Sequence, residues 1–176
     1  VVQETTRRGA KRIVTIRLAR PHLGEAEYRV AREVLESGWL VQGPRVAAFD
    51  AAVAERVGTR TCVACTSGTA ALHLAALALD LEVGDEVLVP DFTFPATVNT
   101  LLHTPAVPVV VDVDPKTFNM DVGSAQRALT PKTRAVIAVH QFGLPVSPDL
   151  VRFCQENQLA LIEDAACALG SEVLLD

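Results

Sequence analysis

Aromatic side chains are scarce in this 176-residue chain, which has one Trp, one Tyr and six Phe. Apolar runs long enough to span a bilayer are absent, although 49% of the residues are hydrophobic, so the sequence predicts no membrane-crossing helix. Cysteine is limited to Cys62, Cys65, Cys154 and Cys167. Their spacing makes no disulfide-dense framework, which points to a reducing compartment and a cytoplasmic protein. The net charge of -5 excludes a general nucleic-acid binder, even though Arg7, Arg8, Lys11, Arg12, Arg17 and Arg20 make the amino-terminal stretch locally basic. A solvated arm is the expected role of that stretch. There is no internal repeat, no low-complexity tract, and no charged start leading into an apolar signal segment. The first residue is Val1, and the absence of an initiator Met is read as the mark of a fragment or a processed chain.

What is present fits a soluble α/β protein, with 21% charged residues and a length suited to one domain with a sizeable core. β-rich apolar runs alternate with helical ones, a pattern that predicts a parallel sheet between helical layers. The expected strands are 61–64, 86–89, 107–111, 135–139 and 159–162. Helices are expected at 25–37, with Gly38 as a stop, and from Gly43-Pro44 to about Val57, where Pro44 suits the first turn. Further helices are expected near 68–79, 95–103, 122–129 and 148–157. The connections are long enough for right-handed crossovers.

Three segments carry the chemistry. In the first, Ile162-Glu163-Asp164-Ala165-Ala166, a carboxylate stands at the exit of an apolar strand, followed by small residues that leave room for something flat. Ligands of open parallel sheets bind at the carboxyl ends of strands, so Asp164 is either the partner of a cationic ligand or the cap of the next turn. The second segment, Ser67-Gly68-Thr69-Ala70-Ala71-Leu72, runs through small residues into a strong helix former. Its first-turn amides suit a phosphate, with Gly68 allowing close approach and Thr69 adding a hydroxyl; an ordinary capped helix is the alternative. No Walker lysine and no GxGxxG spacing accompanies it, so neither a triphosphate loop nor a dinucleotide fingerprint is supported. In the third, Pro90 to Thr97, Phe92 and Phe94 lie in a strand-to-helix loop, as core packing or as a ring-stacking surface.

Two other patterns are given structural readings. Cys62-Val63-Ala64-Cys65 has the spacing of redox and zinc sites, but no second pair follows, and small buried residues are expected there. Asp112-Val113-Asp114-Pro115 has carboxylates at metal-like spacing, yet the Pro and the Asn119-Met120-Asp121 helix start favour turn and cap chemistry, and no metal is assigned.

The order of these motifs resembles the DegT, DnrJ, EryC1 and StrS sugar aminotransferases, within the type I pyridoxal-phosphate fold. The resemblance runs from about Pro21 to the end. It rests on Ser37-Gly38-Trp39-Leu40 with Gly43-Pro44, on Ser67 to Leu72, on Gly84-Asp85-Glu86-Val87, and on Phe92-Thr93-Phe94. Val111 to Pro115, His140 with Gly143, and Glu163-Asp164-Ala165-Ala166 complete it. The fold it implies is three-layer α/β/α with a mainly parallel sheet, an incomplete large domain of such an enzyme. The implied division is a basic arm at 1–20, a helical segment at 21–44 and a partial cofactor-binding domain at 45–176.

By that resemblance Gly68, Thr69 and Ala70 hold the phosphate of pyridoxal 5′-phosphate, Phe94 stacks on the ring, Ala166 lies against the other face, and Asp164 pairs with the ring nitrogen. Cys167 falls where relatives carry Gln or His near the ring hydroxyl, and a thiol is a weak donor for that duty. Trp39, Gln42 and His140 are candidates for the border of the substrate pocket, with Trp39 as a packed anchor and His140 as a strand-end cap the alternatives. The implied activity is amino transfer from L-glutamate to a keto sugar carried on a nucleotide, for polysaccharide or secondary-metabolite synthesis, by a homodimer. The Schiff-base lysine of the family has no counterpart among Lys11, Lys116 and Lys132, so the 176 residues alone are expected to be catalytically incompetent. A pyridoxal-phosphate-binding dehydratase, regulator or pseudoenzyme of the same fold would share every motif present. A Rossmann nucleotide-binding protein would share only the alternation and lacks its glycine-rich turn here.

Overall fold

The computed structural model describes residues 2–5, 11–14 and 20–174, with side chains from 20 to 174. Two compact units divide the chain, 1–47 and 48–176. In the first unit, β1 (Val2–Thr5) pairs antiparallel with β2 (Lys11–Val14), Val2 standing opposite Val14. Of the basic arm, Arg7, Arg8 and Arg17 lie outside the described residues.

Helix α1 (Glu25–Ser37) opens with the Gly24 amide donating to the Glu27 carboxylate at 2.7 Å, and Glu25 and Glu27 complement the positive end of its dipole. It ends where expected. Gly38 adopts φ 71°, a left-handed conformation that costs glycine little, and its N–H bonds the Leu35 carbonyl. Beyond it the Trp39 Nε1–H donates to the Gln42 carbonyl at 2.8 Å. A Cβ on Gly43 would sit 2.5 Å from the Trp39 indole nitrogen, so only glycine permits that closure. Helix α2 (Pro44–Val57) follows from Pro44, as read from the sequence.

The second unit is built on four parallel strands in the order β4 (Val107–Val111), β3 (Glu86–Pro90), β5 (Thr133–Val139), β6 (Ala160–Asp164). Val87, Leu88 and Val89 of β3 and Ala135 to Ala138 of β5 are fully buried because helices cover both faces, which explains their unbroken apolar sequences. Side chains alternate between two cores. On one face Val87, Val89, Ala135, Ile137 and Ile162 pack with Leu72 and Ala76 of α3 (Gly68–Leu77) and with Leu101. On the other, Leu88, Val136 and Ala138 pack with Ala125 of α5 (Val122–Ala128) and with Leu150, Phe153 and Cys154 of α6 (Pro148–Glu156). This is the expected three-layer arrangement.

Two expectations are corrected. Residues 61–64 form no strand, because a strand requires a laddered neighbour and none pairs with them; Val63 stands 78% exposed. Cys65 is accordingly exposed and Cys62 only half-buried, where buried cysteines were expected. The helix expected over 95–103 is broken: α4 (Ala96–Asn99) gives way to a tighter turn at Leu101–His103, with the Thr100 hydroxyl reaching back to the Thr97 carbonyl.

The strand ends are laced together by one buried amide. Asn119, 5% exposed, donates through Nδ2 to the carbonyls of Leu144 (3.1 Å) and Pro145 (3.0 Å) and accepts the Gln141 N–H through Oδ1 at 2.9 Å. Truncating it orphans all three partners. Asn119→Ala is therefore expected to lower unfolding free energy by roughly 2–4 kcal/mol, measured by urea titration.

Candidate active site

The carboxyl ends of the four strands form one rim. The Leu79 to Glu82 connection after α3 lies beside Asp85, Arg134, Gln158 and Ala160, around a shallow hollow at the opposite, amino-terminal edge of the strands. Helix α3 therefore runs antiparallel to the strands. Ten residues rise about 15 Å, close to the length of a five-residue strand, so its first turn reaches the rim. Asp164, the last residue of β6, shares the α3 face with Ile162 by strand alternation.

Ser67 caps α3, its hydroxyl accepting the Ala70 N–H at 3.1 Å, while its carbonyl takes the Ala71 N–H. The capped-helix reading is thus realised at Ala70. The amides of Gly68 and Thr69 bond no group among the described residues, and a Cβ built at Gly68 would meet nothing within 4 Å. The space in front of this turn is open, and a phosphate there would meet two free N–H groups at the positive end of a helix.

Asp164 is half-buried, and its Oδ1 accepts the Ala166 N–H at 3.1 Å. Its Oδ2 bonds no protein donor among the described residues, so the carboxylate caps the following turn with one oxygen only. Ala166 and Cys167 lie exposed in that turn. Phe94 is 73% exposed beyond β3, which removes the core reading for it. Phe92 instead packs with Phe118 and Phe142, ring centroids 5.1–6.2 Å apart. The Gln141 amide ties the β5 loop to the Phe92 carbonyl at 2.7 Å. Gln141, Phe118 and Phe142 were not singled out in the sequence; a polar residue at a strand exit and two Phe flanked by Asn or Gly were the available signals.

The first unit holds Trp39 and Gln42, joined to each other as above, and the second unit holds every residue expected to touch the cofactor. His140 is buried at the end of β5. Its Nδ1 accepts the Val146 N–H at 3.1 Å, so the ring proton is on Nε2, which meets the Glu163 carboxylate at 3.3 Å. That bond holds the Glu163 carboxyl below its ordinary value of 4.5; partial burial opposes the shift, and any imidazolium charge adds to it. Glu163 faces away from Asp164, toward α6, where burial first and the Glu163 charge second push the Cys154 thiol up to about 11. Because the folded value of Glu163 is depressed, its stabilisation is complete above pH 4.5, declines below it and is lost as pH falls through the lower folded value. Glu163→Gln is therefore expected to flatten the acid limb of the stability curve below pH 4.5, seen in urea titrations at stepped pH. Asp114 confirms the turn reading of its segment: its carboxylate accepts the Lys116 and Thr117 amides at 2.8 and 2.9 Å, and Asp121 caps α5 through the Ser124 N–H.

The sequence matches the DegT/DnrJ/EryC1/StrS aminotransferase family over residues 21–174, and the chain belongs to that family. Among solved structures it is similar to the aminotransferase TlmJ from Streptoalloteichus hindustanus, at 37% identity and TM-score 0.83, covering 90% of this chain and 44% of that one. It is similar also to the putative sugar aminotransferase Spr1654 from Streptococcus pneumoniae in its PLP form, at 30% identity and TM-score 0.84, over 89% of this chain and 44% of that one. A third likeness is to NtdA from Bacillus subtilis with bound cofactor PMP, at 33% identity and TM-score 0.77, over 81% and 33%. The chain spans less than half the length of these relatives. No helix among the described residues is long and apolar enough to cross a membrane.

Proposed function

We propose that residues 45–176 belong to the cofactor-binding domain of a pyridoxal-phosphate aminotransferase that moves an amino group from L-glutamate to a nucleotide-linked keto sugar, in polysaccharide or secondary-metabolite synthesis. The observation that carries this reading is the meeting, on one face and one edge of the sheet, of an open helix amino terminus and a carboxylate with a spare oxygen. Those residues fit the group. Gly68 and Thr69 supply free amides, and the Gly68 position leaves the room a phosphate needs. Ala70 completes that turn, Phe94 offers an exposed ring for stacking, and Ala166 and Cys167 border the opposite side.

When bound, the cofactor supplies an electron sink for the carbon from which the amino group departs. Asp164 would pair its carboxylate with the pyridine nitrogen and so favour the protonated ring that makes the sink effective. Ala166 keeps the space beside that carboxylate flat, and its N–H holds Asp164 Oδ1 in place. Cys167 would stand near the ring hydroxyl as a weaker donor than an amide. A homodimer is part of this reading.

The test is titration with pyridoxamine 5′-phosphate, followed by ring fluorescence, against inorganic phosphate as competitor. Saturable binding that phosphate displaces is expected. Failure of the chain to bind pyridoxamine phosphate, with its fold intact by circular dichroism, would overturn the assignment.

A further inference from the structure

We propose that His140 is a positioning residue for Asp164: its imidazole bridges the β5 exit loop to β6 through Val146 and Glu163, beside the strand end that carries Asp164. The inference rests on the reading of Asp164 as the partner of the ring nitrogen. His140 is a polar side chain only 9% exposed, at a place where burial must be matched by hydrogen bonds. Both ring nitrogens are engaged, Nδ1 by the Val146 N–H and Nε2 by Glu163, while the backbone N–H of His140 donates to the Asp164 carbonyl at 3.1 Å. One residue thus touches the strand end carrying Asp164 from two directions.

The loop that His140 anchors leans on the Asp164 turn. Phe142 adopts φ 54°, an uncommon left-handed conformation for a large side chain, and Gly143 follows at φ 87°. The Gly143 carbonyl accepts the Ser171 hydroxyl at 2.7 Å, and a Cβ on Gly143 would come within 3.2 Å of the Cys167 carbonyl. Loop and turn are therefore packed closely, and the Val146–His140–Glu163 chain ties the base of that packing to the sheet. Without the imidazole, Glu163 loses its donor and the exit loop loses its side-chain tie to β6. The last rung of β6 is then held by backbone alone.

The experiment compares His140→Ala, Glu163→Leu and Glu163→Gln with the parent chain, using NMR couplings that report the Asp164 χ1 rotamer and the dissociation constants of pyridoxamine 5′-phosphate and inorganic phosphate. A single Asp164 rotamer is expected in the parent and in Glu163→Gln, whose carboxamide oxygen still accepts from Nε2. In His140→Ala and Glu163→Leu, averaging among rotamers is expected, with roughly tenfold weaker pyridoxamine phosphate binding and unchanged inorganic phosphate binding. An unaltered rotamer in both disruptive variants, with Val87–Val89 amides still protected from exchange, would overturn the proposal, as would equal weakening of both ligands. If His140→Ala fails to fold, Glu163→Leu decides, since that side chain is half-exposed. If the parent chain binds no pyridoxamine phosphate, the proposed function falls, and the rotamer measurement alone settles the positioning role.

Discussion

Asp164→Asn is expected to weaken pyridoxamine 5′-phosphate binding by about 10- to 100-fold while leaving inorganic phosphate binding unchanged. A hydrogen bond to a charged partner is worth about 1.5–3 kcal/mol, and each 1.4 kcal/mol is about tenfold in affinity. Asn keeps the size of the side chain and can still accept the Ala166 N–H, so the turn at the end of β6 survives the change. What is lost is the negative charge that the proposed role sets against the ring nitrogen. With 15N-labelled ligand, the parent is expected to show the shift of a protonated pyridine at neutral pH, and Asp164→Asn that of an unprotonated one. A protonated ring in the variant would show that another group holds the proton, and would remove Asp164 from the role assigned to it. The contrast with phosphate matters because in the proposed site the two halves of the ligand meet different elements, and a general loss of fold would weaken both.

Much of this arrangement was legible in the sequence because its signals are local. Continuous apolar runs at Val87–Val89 and Ala135–Ala138 identify strands covered on both faces, and Gly38 and Pro44 punctuate helices through backbone conformation alone. Ser67 and Asp121 cap helices through their own side chains, which a sequence also displays. The failed strand at 61–64 has the same apolar pattern as the others and lacks only a partner, which no local pattern reports. The rim bonds of Asn119, read only as part of a helix start, and of Gln141 were missed for a related reason: they cross more than twenty positions, and an isolated Asn or Gln looks the same whether it faces water or closes a rim. At Asp164 the sequence left cap and ligand partner as alternatives. The geometry shows the cap, one oxygen accepting the Ala166 N–H, and leaves the other oxygen without a protein donor among the described residues.

Gly68→Val is expected to abolish phosphate-anchored binding while leaving the fold in place, the reverse pattern from Asp164→Asn. Gly68 does not owe its identity to a left-handed conformation, and a Cβ there would meet no protein atom within 4 Å. Backbone strain and internal clash therefore give no reason for glycine at the first position of α3. The helix would tolerate a larger residue, with a β-branched side chain changing its propensity by well under 1 kcal/mol relative to other ordinary residues. The space that the new side chain would fill is the same space through which a phosphate must reach the Gly68 and Thr69 amides. Pushing the anion out by the width of an isopropyl group removes two charge-assisted hydrogen bonds and moves it away from the helix terminus, where the dipole is felt only over the first turn. A loss of 100-fold or more in affinity is expected for pyridoxamine phosphate and inorganic phosphate alike, with thermal unfolding within a few degrees of the parent. Retention of phosphate binding in Gly68→Val would mean that the anion sits elsewhere on the rim. The agreement between strand end and helix end, on which the proposed function stands, would then be coincidental.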